Sequence, residues 1–205
     1  MAVISNGTTL ADAGAMSGLG SLTLIKTITV SSGTSTVSFV DGTSSVVLDN
    51  TYPIYKFEFI NIHASNNTTH FSFQANVAGG SGFNETITST YFRAFHGENG
   101  SDTGLGYDAN RDLGQATGFQ ELISGIGNDT DGNGNGELFL FNPSSTTFVT
   151  HFMATTVTSY ADEAARRMHV AGYINTTAAI DEIQFKQSAG NIDSGIIKLY
   201  GIKDS

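Results

Sequence analysis

Apolar and polar side chains alternate along most of this 205-residue chain, and this alternation is clearest over residues 54–63 and 69–77. In the first segment, Tyr55, Phe57 and Phe59 are separated by Lys56 and Glu58. Successive side chains of a strand point to opposite faces, so a period of two predicts strands that are buried on one face. The chain is therefore expected to form β-structure with one apolar face per strand.

The same pattern predicts a series of strands separated by short turns rich in Gly, Ser, Asn and Thr. They cover residues 22–30, 35–40, 45–48, 54–63, 69–77, 86–96, 137–141, 147–157, 167–176, 180–186 and 195–202. Residues 119–123 and 162–168 are candidates for two short helices, and the second is also short enough to be a turn that joins two strands. A long polar loop over residues 97–118 is expected to make role-specific contacts. So many short strands without long helical patterns favour an all-β fold, a two-sheet antiparallel β-sandwich.

Residues 1–20 are mostly Ala, Gly, Ser and Thr, and they hold too few large apolar side chains to form a core. We expect an extended N-terminal arm (residues 1–20) followed by one β-sandwich domain (residues 21–205). The arm either docks on a neighbouring subunit or on a shell beneath it, or is a frayed terminus, and both interpretations stay open.

Two strands carry specific predictions about which side chains are buried. In the first strand, Leu22 and Leu24 are expected to share a face with Lys26, Ile28 and Val30. In the last strand, the alternation places one pair inside and its neighbours outside. We predict that Ile197 and Leu199 are buried in a central strand.

Composition excludes several classes of protein. The chain has no Cys, which removes disulfides, thiolate metal sites and cysteine nucleophiles. A net charge of −10 with nine Lys and Arg argues against a nucleic-acid partner, which needs clustered cations. No apolar run approaches the roughly 20 residues of a membrane span, and no secretory signal is recognisable at the start. We expect a protein made in the cytoplasm, with no membrane partner.

The sharpest local motif is Asp-Thr-Asp-Gly-Asn-Gly-Asn-Gly-Glu over residues 129–137. Its oxygen ligands and glycine match the first half of a calcium loop, but Leu140 stands where the bidentate Glu belongs. The candidate calcium ligands are Asp129, Asp131, Asn133, Asn135 and Glu137. An Asn-Gly-rich hairpin turn explains the same residues, and we predict the turn and no bound cofactor.

Catalytic motifs are absent from the sequence, and we expect no enzyme activity. Two carboxylate pairs, Asp108 with Asp112 and Asp181 with Glu182, have the residue types of glycoside hydrolysis, although loop solubility explains them more simply. The five His residues occur singly in predicted strands, without a second ligand at metal-binding spacing.

The C-terminal sequence Gly-Ile-Ile-Lys-Leu-Tyr-Gly-Ile-Lys-Asp-Ser, residues 195–205, resembles the terminal strand of jelly-roll-like structural proteins of tailed bacteriophages, many of them marine. Residues 184–194 and 169–174 lead into it as in that group, and residues 20–29 resemble the way such proteins begin. The resemblance covers about the last forty residues and this first strand.

This resemblance implies a jelly-roll-like fold and a structural role in the virion. A capsid decoration or cement protein is expected, with the major capsid protein or other virion proteins as partners and self-association as a homotrimer. The alternatives are a tail-fibre or baseplate subunit, or a module that binds host glycans. For glycan binding, Tyr91, Tyr107 and Tyr160 are the candidate aromatic platforms, since Trp is absent.

Overall fold

The computed structural model describes residues 22–203 in full and, before them, the backbone of three short strands. The described residues form antiparallel strands and no helix. The strands are β1 (Val3–Ser5), β2 (Thr8–Asp12), β3 (Ala15–Met16), β4 (Leu22–Val30), β5 (Thr36–Val40), β6 (Ile54–Ala64), β7 (Thr69–Val77), β8 (Ile87–Gly97), β9 (Thr103–Tyr107), β10 (Gly114–Ala116), β11 (Gln120–Ile126), β12 (Gly134–Phe141), β13 (Thr150–Tyr160), β14 (Ala164–Ile174), β15 (Ile180–Gln187) and β16 (Ile192–Ile202).

Two layers enclose one core. The large sheet has the strand order β4-β16-β6-β12-β13-β14-β8, with β9 and β10 pairing with β8. The small sheet has the order β11-β7-β15-β5 and joins the large one at a single pair, Ile126 with Tyr160. The result is a nearly closed, jelly-roll-like antiparallel sandwich, so the predicted fold class is confirmed.

An aromatic cluster holds the two sheets together. Phe57 and Phe59 of the large sheet meet Phe185 of the small sheet edge to face, with ring centroids 5.1 and 5.2 Å apart. Phe71 adds an edge contact to Phe59 at 5.2 Å. Such pairs each contribute about 0.5–1.5 kcal/mol beyond the area that they bury. The alternation of β6 and β7 in the sequence therefore builds the centre of the core.

The terminal strand β16 lies inside the large sheet, between β4 and β6. Ile197 and Leu199 are fully buried, while Ile196, Lys198 and Tyr200 keep partial exposure on the opposite face. The prediction about the buried pair is confirmed.

Neither of the two candidate helices is present, and the alternative of a strand-joining turn fits the start of the second segment. Residues 119–123 lead into β11, where Leu122 and Ile123 are fully buried, and residues 162–168 form a turn and the start of β14. β14 pairs along its whole length with β13 on one side and β8 on the other. Pairing on both edges satisfies every backbone group of the strand and outweighs a weak local helix preference.

Two further segments differ from the sequence interpretation: a predicted loop contains two strands, and a predicted strand is not one. Residues 97–118 contain β9 and β10, and glycines at alternate positions of β9 hide its strand pattern. A Cβ at Gly104 would lie 2.4 Å from the Phe95 ring, so a larger residue there would force this ring to move. Residues 45–48 are not a strand. Val46 and Leu48 are nevertheless buried, and the Leu48 amide donates to the Asp41 carboxylate at 2.8 Å.

A β-bulge corrects the predicted faces of β4. The sequence predicted that Leu24 shares a face with Lys26, but Leu199 pairs with Lys26 and Tyr200 with Leu24, which leaves Ile25 as an extra residue. An extra residue in one strand moves everything beyond it to the other face. The leucines at the start of β4 therefore point away from the core.

Half of the predicted N-terminal arm lies outside the described residues. Within it, β1, β2 and β3 pair with one another in a separate three-stranded sheet. The arm and its boundary with the sandwich stay predictions. In the part of the chain that the structure describes, no helix has the length and hydropathy needed to cross a bilayer.

Candidate functional site

The outer surface of the large sheet carries an unusual number of exposed apolar side chains. Eight large hydrophobic residues of the described chain are exposed, and seven of them lie on this one surface, with exposed fractions from 43% to 78%. We call it the docking face, and these seven residues define it: Leu22, Leu24, Phe92, Leu105, Tyr107, Met153 and Val157. The eighth, Phe148, lies in the loop between β12 and β13.

The register of five neighbouring strands shows which side chains form the first row of the docking face. Met153 of β13 pairs with Phe139 of β12, which pairs with Lys56 of β6. Lys56 pairs with Tyr200 of β16, which pairs with Leu24 of β4. Directly paired residues in adjacent strands point to the same face. One row of side chains therefore crosses five strands on the outer surface.

A second row extends the docking face to the far edge of the large sheet. Val157 of β13 pairs with Arg167 of β14, which pairs with Ala94 of β8 and, through it, with Leu105 of β9. Val157 follows Met153 by four residues, so the two share a face of β13. The docking face thus extends from β4 to β9.

Charge on the docking face differs from charge on the whole chain. The charged residues whose register puts them there are Lys56, Lys198, Arg167, Glu58 and Glu137, three basic against two acidic. The chain as a whole has a net charge of −10. Lys56 pairs with both carboxylates at 2.9 Å. Depletion of unpaired charge and enrichment of aromatic side chains are typical of the centre of a protein interface.

Two shallow depressions of about 380 and 470 Å³ lie along the middle of the docking face. Phe139 and Met153 line the first, Ile60 and Val157 line the second, and Glu137 borders both. Neither depression encloses a ligand-sized cavity with convergent polar groups, as small-molecule sites do. This shape suits a protein segment.

A charged cluster lies at one end of the sandwich. The Arg111 guanidinium donates to Glu121 and lies 3.3 Å from an Asp108 oxygen, while Arg93 reaches the same oxygen at 3.3 Å. Burial raises the pKa of the Glu121 carboxyl, and the charge of Arg111 opposes that rise. These ion pairs join the 108–113 loop to both sheets, so the cluster fixes the fold of this end.

His70 completes the charged cluster as a neutral side chain. Its Nδ1 accepts a hydrogen bond from the Gly125 amide at 2.9 Å, and Arg111 Nη1 lies 3.3 and 3.4 Å from the two ring nitrogens. Burial first, and then the charges of Arg111 and Arg166, lower the pKa of His70 to about 4. Only a neutral imidazole accepts at Nδ1, which agrees with this direction.

Acidification is expected to destabilise the protein through His70. The unfolded state binds the proton near pH 6.5 and the folded state only near pH 4. Stability attributable to His70 is present above pH 6.5 and is lost as the pH falls towards 4, by about 3 kcal/mol. Urea unfolding of wild type and His70→Gln at pH 7 and pH 4 measures it. An equal loss of stability in both proteins would assign the acid effect to other groups.

Three of the five candidate calcium ligands have their side-chain oxygens engaged within the protein, while Asp129 and Asp131 are contacted at their backbone carbonyls, by His63 and Asn133. Asn135 Oδ1 accepts from the Asn61 amide at 2.8 Å, and Asn133 Oδ1 accepts from the Asn135 amide group. Glu137 lies on the docking face, 2.9 Å from Lys56. Among the described residues no cluster of three or more His or carboxylate side chains is arranged to hold a metal ion. The predicted turn is present, with the Gly132 amide donating to the Asp129 carbonyl at 2.9 Å, but it is not a hairpin, because it connects β11 to β12 and these strands pair with other neighbours.

Millimolar calcium is therefore expected to leave the melting temperature unchanged, because a ligand stabilises a protein only by binding the folded state. Thermal unfolding with calcium and with a chelator measures this. A rise that Asp131→Ala abolishes would establish a calcium site in the loop.

Three of the four carboxylates considered for catalysis have other partners, and Asp181 has a buried Oδ1 without a hydrogen bond to the described residues. Asp108 pairs with Arg93 and Arg111, and Asp112 accepts a hydrogen bond from Tyr107. In the second pair, burial and the neighbouring Glu182 raise the pKa of Asp181, while Glu182 accepts from Asn76 at 3.1 Å. The absence of catalysis stays a prediction.

The three candidate tyrosines occupy different environments. Tyr91 is fully buried, and Tyr107 is exposed on the docking face. Tyr160 lines a cavity of about 430 Å³ between the ends of two hairpins. The Arg166 guanidinium lies over the Tyr160 ring, 3.4 Å from the ring centroid. The same ring packs so closely against Gly125 that any side chain at this position would clash with it. The Tyr160 ring is therefore packed against Arg166 and Gly125 of the protein itself.

Sequence reasoning missed the docking face and the role of His70. The exposed apolar residues follow the same alternation as buried ones, so their pattern alone does not separate a core face from an interface. A usable signal is that several strands carry apolar residues on both faces, as β12 does with Leu138 and Leu140 buried opposite Phe139 and Phe141.

Searches against protein-family models, curated proteins and solved structures found no match for this chain.

Proposed function

We propose that this chain is a structural protein of a tailed-bacteriophage particle, a capsid decoration or cement protein that attaches through its docking face and its N-terminal arm. One observation carries the proposal: seven of eight exposed large hydrophobic residues share one face of the sandwich. A free-standing protein rarely exposes such a surface, and exposed apolar patches mark interaction sites. The resemblance of the C-terminal sequence to phage structural proteins is the reason for proposing that the assembly is a virion.

The mechanism is binding to an assembled shell. A subunit that binds only the completed particle stabilises that particle by its own binding free energy. Repeated attachment around symmetry axes turns weak contacts into durable ones. Near-balanced charge on the docking face lets a chain of net charge −10 approach a partner without strong repulsion at the contact.

Attachment is tested with particles stripped of this protein. Met153→Asp combined with Val157→Asp places two carboxylates in the middle of the docking face, and we expect binding to the particles to weaken at least about tenfold. Phe148→Asp is the matched control, since it removes an exposed hydrophobic residue outside the docking face. Co-sedimentation with the particles measures binding. Equal binding by both variants would contradict docking through this face.

Electron microscopy of particles that carry a labelled subunit separates the head from the tail. Label on the shell supports a decoration protein, and label confined to the tail supports the alternative of a fibre or baseplate subunit. Homotrimer formation, which three-fold positions on shells favour, is read from the sedimentation of the free protein.

A further inference from the structure

We propose that the cavity between the β8–β9 and β13–β14 turns binds a small zwitterion, a molecule with a carboxylate at one end and an ammonium group at the other. The carboxylate of the ligand pairs with Arg166, and its ammonium group pairs with acidic side chains at the cavity rim. None of the residues that line this cavity belongs to the seven that define the docking face, so the proposal is independent of particle attachment.

Arg166 is a buried cation without an anionic partner. Only 8% of the residue is exposed. Its Nη1 donates to the Ser124 hydroxyl at 3.3 Å, while its Nε has no hydrogen-bond partner among the described residues. Burial, and then the charge of Arg93, lower the pKa of Arg166. Buried charges in proteins are normally paired, so an unpaired one indicates a missing partner.

The neighbouring charged cluster does not supply this partner. Arg93 and Arg111 pair there with Asp108, and Arg111 also pairs with Glu121. The ion pairs among residues 22–203 do not include Arg166. This end of the sandwich therefore holds one positive charge that the protein itself leaves uncompensated.

The Arg166 guanidinium lies at the wall of the cavity. Its central carbon is 3.4 Å from the centroid of the Tyr160 ring and 6.0 Å from the centroid of the Phe95 ring. Both rings and Arg166 line the cavity, which has a volume of about 430 Å³. Small-molecule sites occupy about 300–1,000 Å³ and combine apolar walls with a few convergent polar groups. The cavity has this size, and Arg166 is its polar anchor.

Acidic side chains form the outer part of the cavity. The four that line it are exposed, in contrast to Arg166, and they are Glu98, Asp102, Asp162 and Glu163. Within residues 22–203 none of these four carboxylates takes part in an ion pair. The Glu98 amide donates to the Glu163 carbonyl at 2.8 Å and joins the two turns. Positive charge thus lies at the inner end and negative charge at the rim.

This separation of charge selects the class of ligand. A simple anion meets the acidic rim, whereas a simple cation or a neutral sugar leaves the charge of Arg166 uncompensated. A metal ion lacks a site, because no cluster of three or more His or carboxylate side chains among the described residues is arranged to hold one. A zwitterion compensates both ends of the cavity.

The size of the cavity favours well-separated charges. A sphere of about 430 Å³ is roughly 9 Å across, and sites of this size enclose most of a small ligand. An extended carbon chain separates the carboxylate from the side-chain ammonium of lysine by about 7 Å. Lysine therefore reaches from Arg166 towards the rim. Free lysine and the C-terminal lysine of a peptide share this chemistry.

Calorimetric titration of the full chain with 6-aminohexanoate at low salt tests the proposal, because this probe has the charge spacing of lysine. Hexanoate lacks the ammonium group and hexylamine lacks the carboxylate, so they are matched control ligands. We expect 6-aminohexanoate to bind at least about tenfold more tightly than either, since each control loses a charged contact. Equal affinities for the three ligands, or no binding of 6-aminohexanoate at millimolar concentration, would overturn the proposal.

Charge-neutralising variants locate the binding site. Asp162→Asn with Glu163→Gln changes two exposed rim residues, so the fold is expected to be kept, and binding of 6-aminohexanoate is expected to weaken at least about tenfold. Glu182→Gln with Asp193→Asn removes two carboxylates that do not line the cavity, and binding is expected to be unchanged. Equal weakening in both double variants would assign the effect to net charge and contradict a site in this cavity.

Arg166→Gln tests the inner end of the cavity. We expect 6-aminohexanoate and hexylamine to bind this variant alike, and a preference for 6-aminohexanoate that survives would exclude Arg166 as the carboxylate partner. The rim variants decide the question if Arg166→Gln does not fold. Nα-acetyl-lysine, which mimics the C-terminal residue of a peptide, separates the two sources of the ligand. Binding as tight as that of lysine assigns the site to a chain end, and binding about tenfold weaker assigns it to the free amino acid.

Discussion

Leu199→Ala is expected to lower the free energy of unfolding by about 2–5 kcal/mol. Leu199 is fully buried in β16, and its neighbours across the two adjacent strands are Phe57 and Lys26. Removing its side chain leaves a cavity between two paired strands, and strands held on both edges cannot move to fill it. Urea unfolding followed by circular dichroism measures the change.

Lys198→Ala is the matched control for Leu199→Ala. Lys198 is the preceding residue of the same strand and points to the docking face with partial exposure. A substitution there is expected to change the free energy of unfolding by no more than about 0.5 kcal/mol. Similar costs for the two substitutions would mean that the terminal strand is not part of the core.

The strands that sequence predicted well share a physical property. In β6, β7 and β16, buried and outward side chains alternate or form long apolar runs, so the hydrophobic pattern reports the strand directly. Strand β9 was not predicted from the sequence, because Gly104 and Gly106 occupy every second position and interrupt the apolar alternation. The packing of Phe95 on Gly104 is a tertiary contact. Long-range packing of this kind has no local signature in the sequence.

The docking face was not predictable for a related reason. Its first row depends on the bulge at Ile25, which turns Leu24 outward, and a bulge shows only in the register between two strands. Its second row depends on β9 lying beside β8, which follows from the sheet order. Sequence identifies apolar side chains, whereas strand order decides which of them meet on one surface.

The charged cluster shows the same limit. Arg111 and Glu121 are ten residues apart in segments interpreted as a loop and a helix, and nothing local indicates that they pair. His70 lies in β7, 41 residues before Arg111 in the sequence, and also contacts this cluster. The sequence supplied the residue types, and the sandwich brought them together.

Arg111→Met is expected to destabilise the protein by about 3–5 kcal/mol at neutral pH, because it leaves a buried carboxylate without its cation. Arg111 contacts Glu121, Asp108 and the ring of His70, and both carboxylates are mostly buried. Met retains much of the apolar volume of the side chain, so the lost charge dominates the effect.

The deficit of Arg111→Met is expected to shrink as the pH falls from 8 to about 5. Burial already raises the pKa of Glu121, and loss of the opposing guanidinium raises it further. A carboxyl whose pKa is raised by folding binds its proton more tightly in the folded state, so acid stabilises the variant relative to wild type. Arg93→Met is the control, because Arg93 forms its ion pair with Asp108 and not with Glu121. Urea unfolding at both pH values measures each deficit, and a deficit for Arg111→Met that does not change with pH would show that Glu121 is not the group left uncompensated.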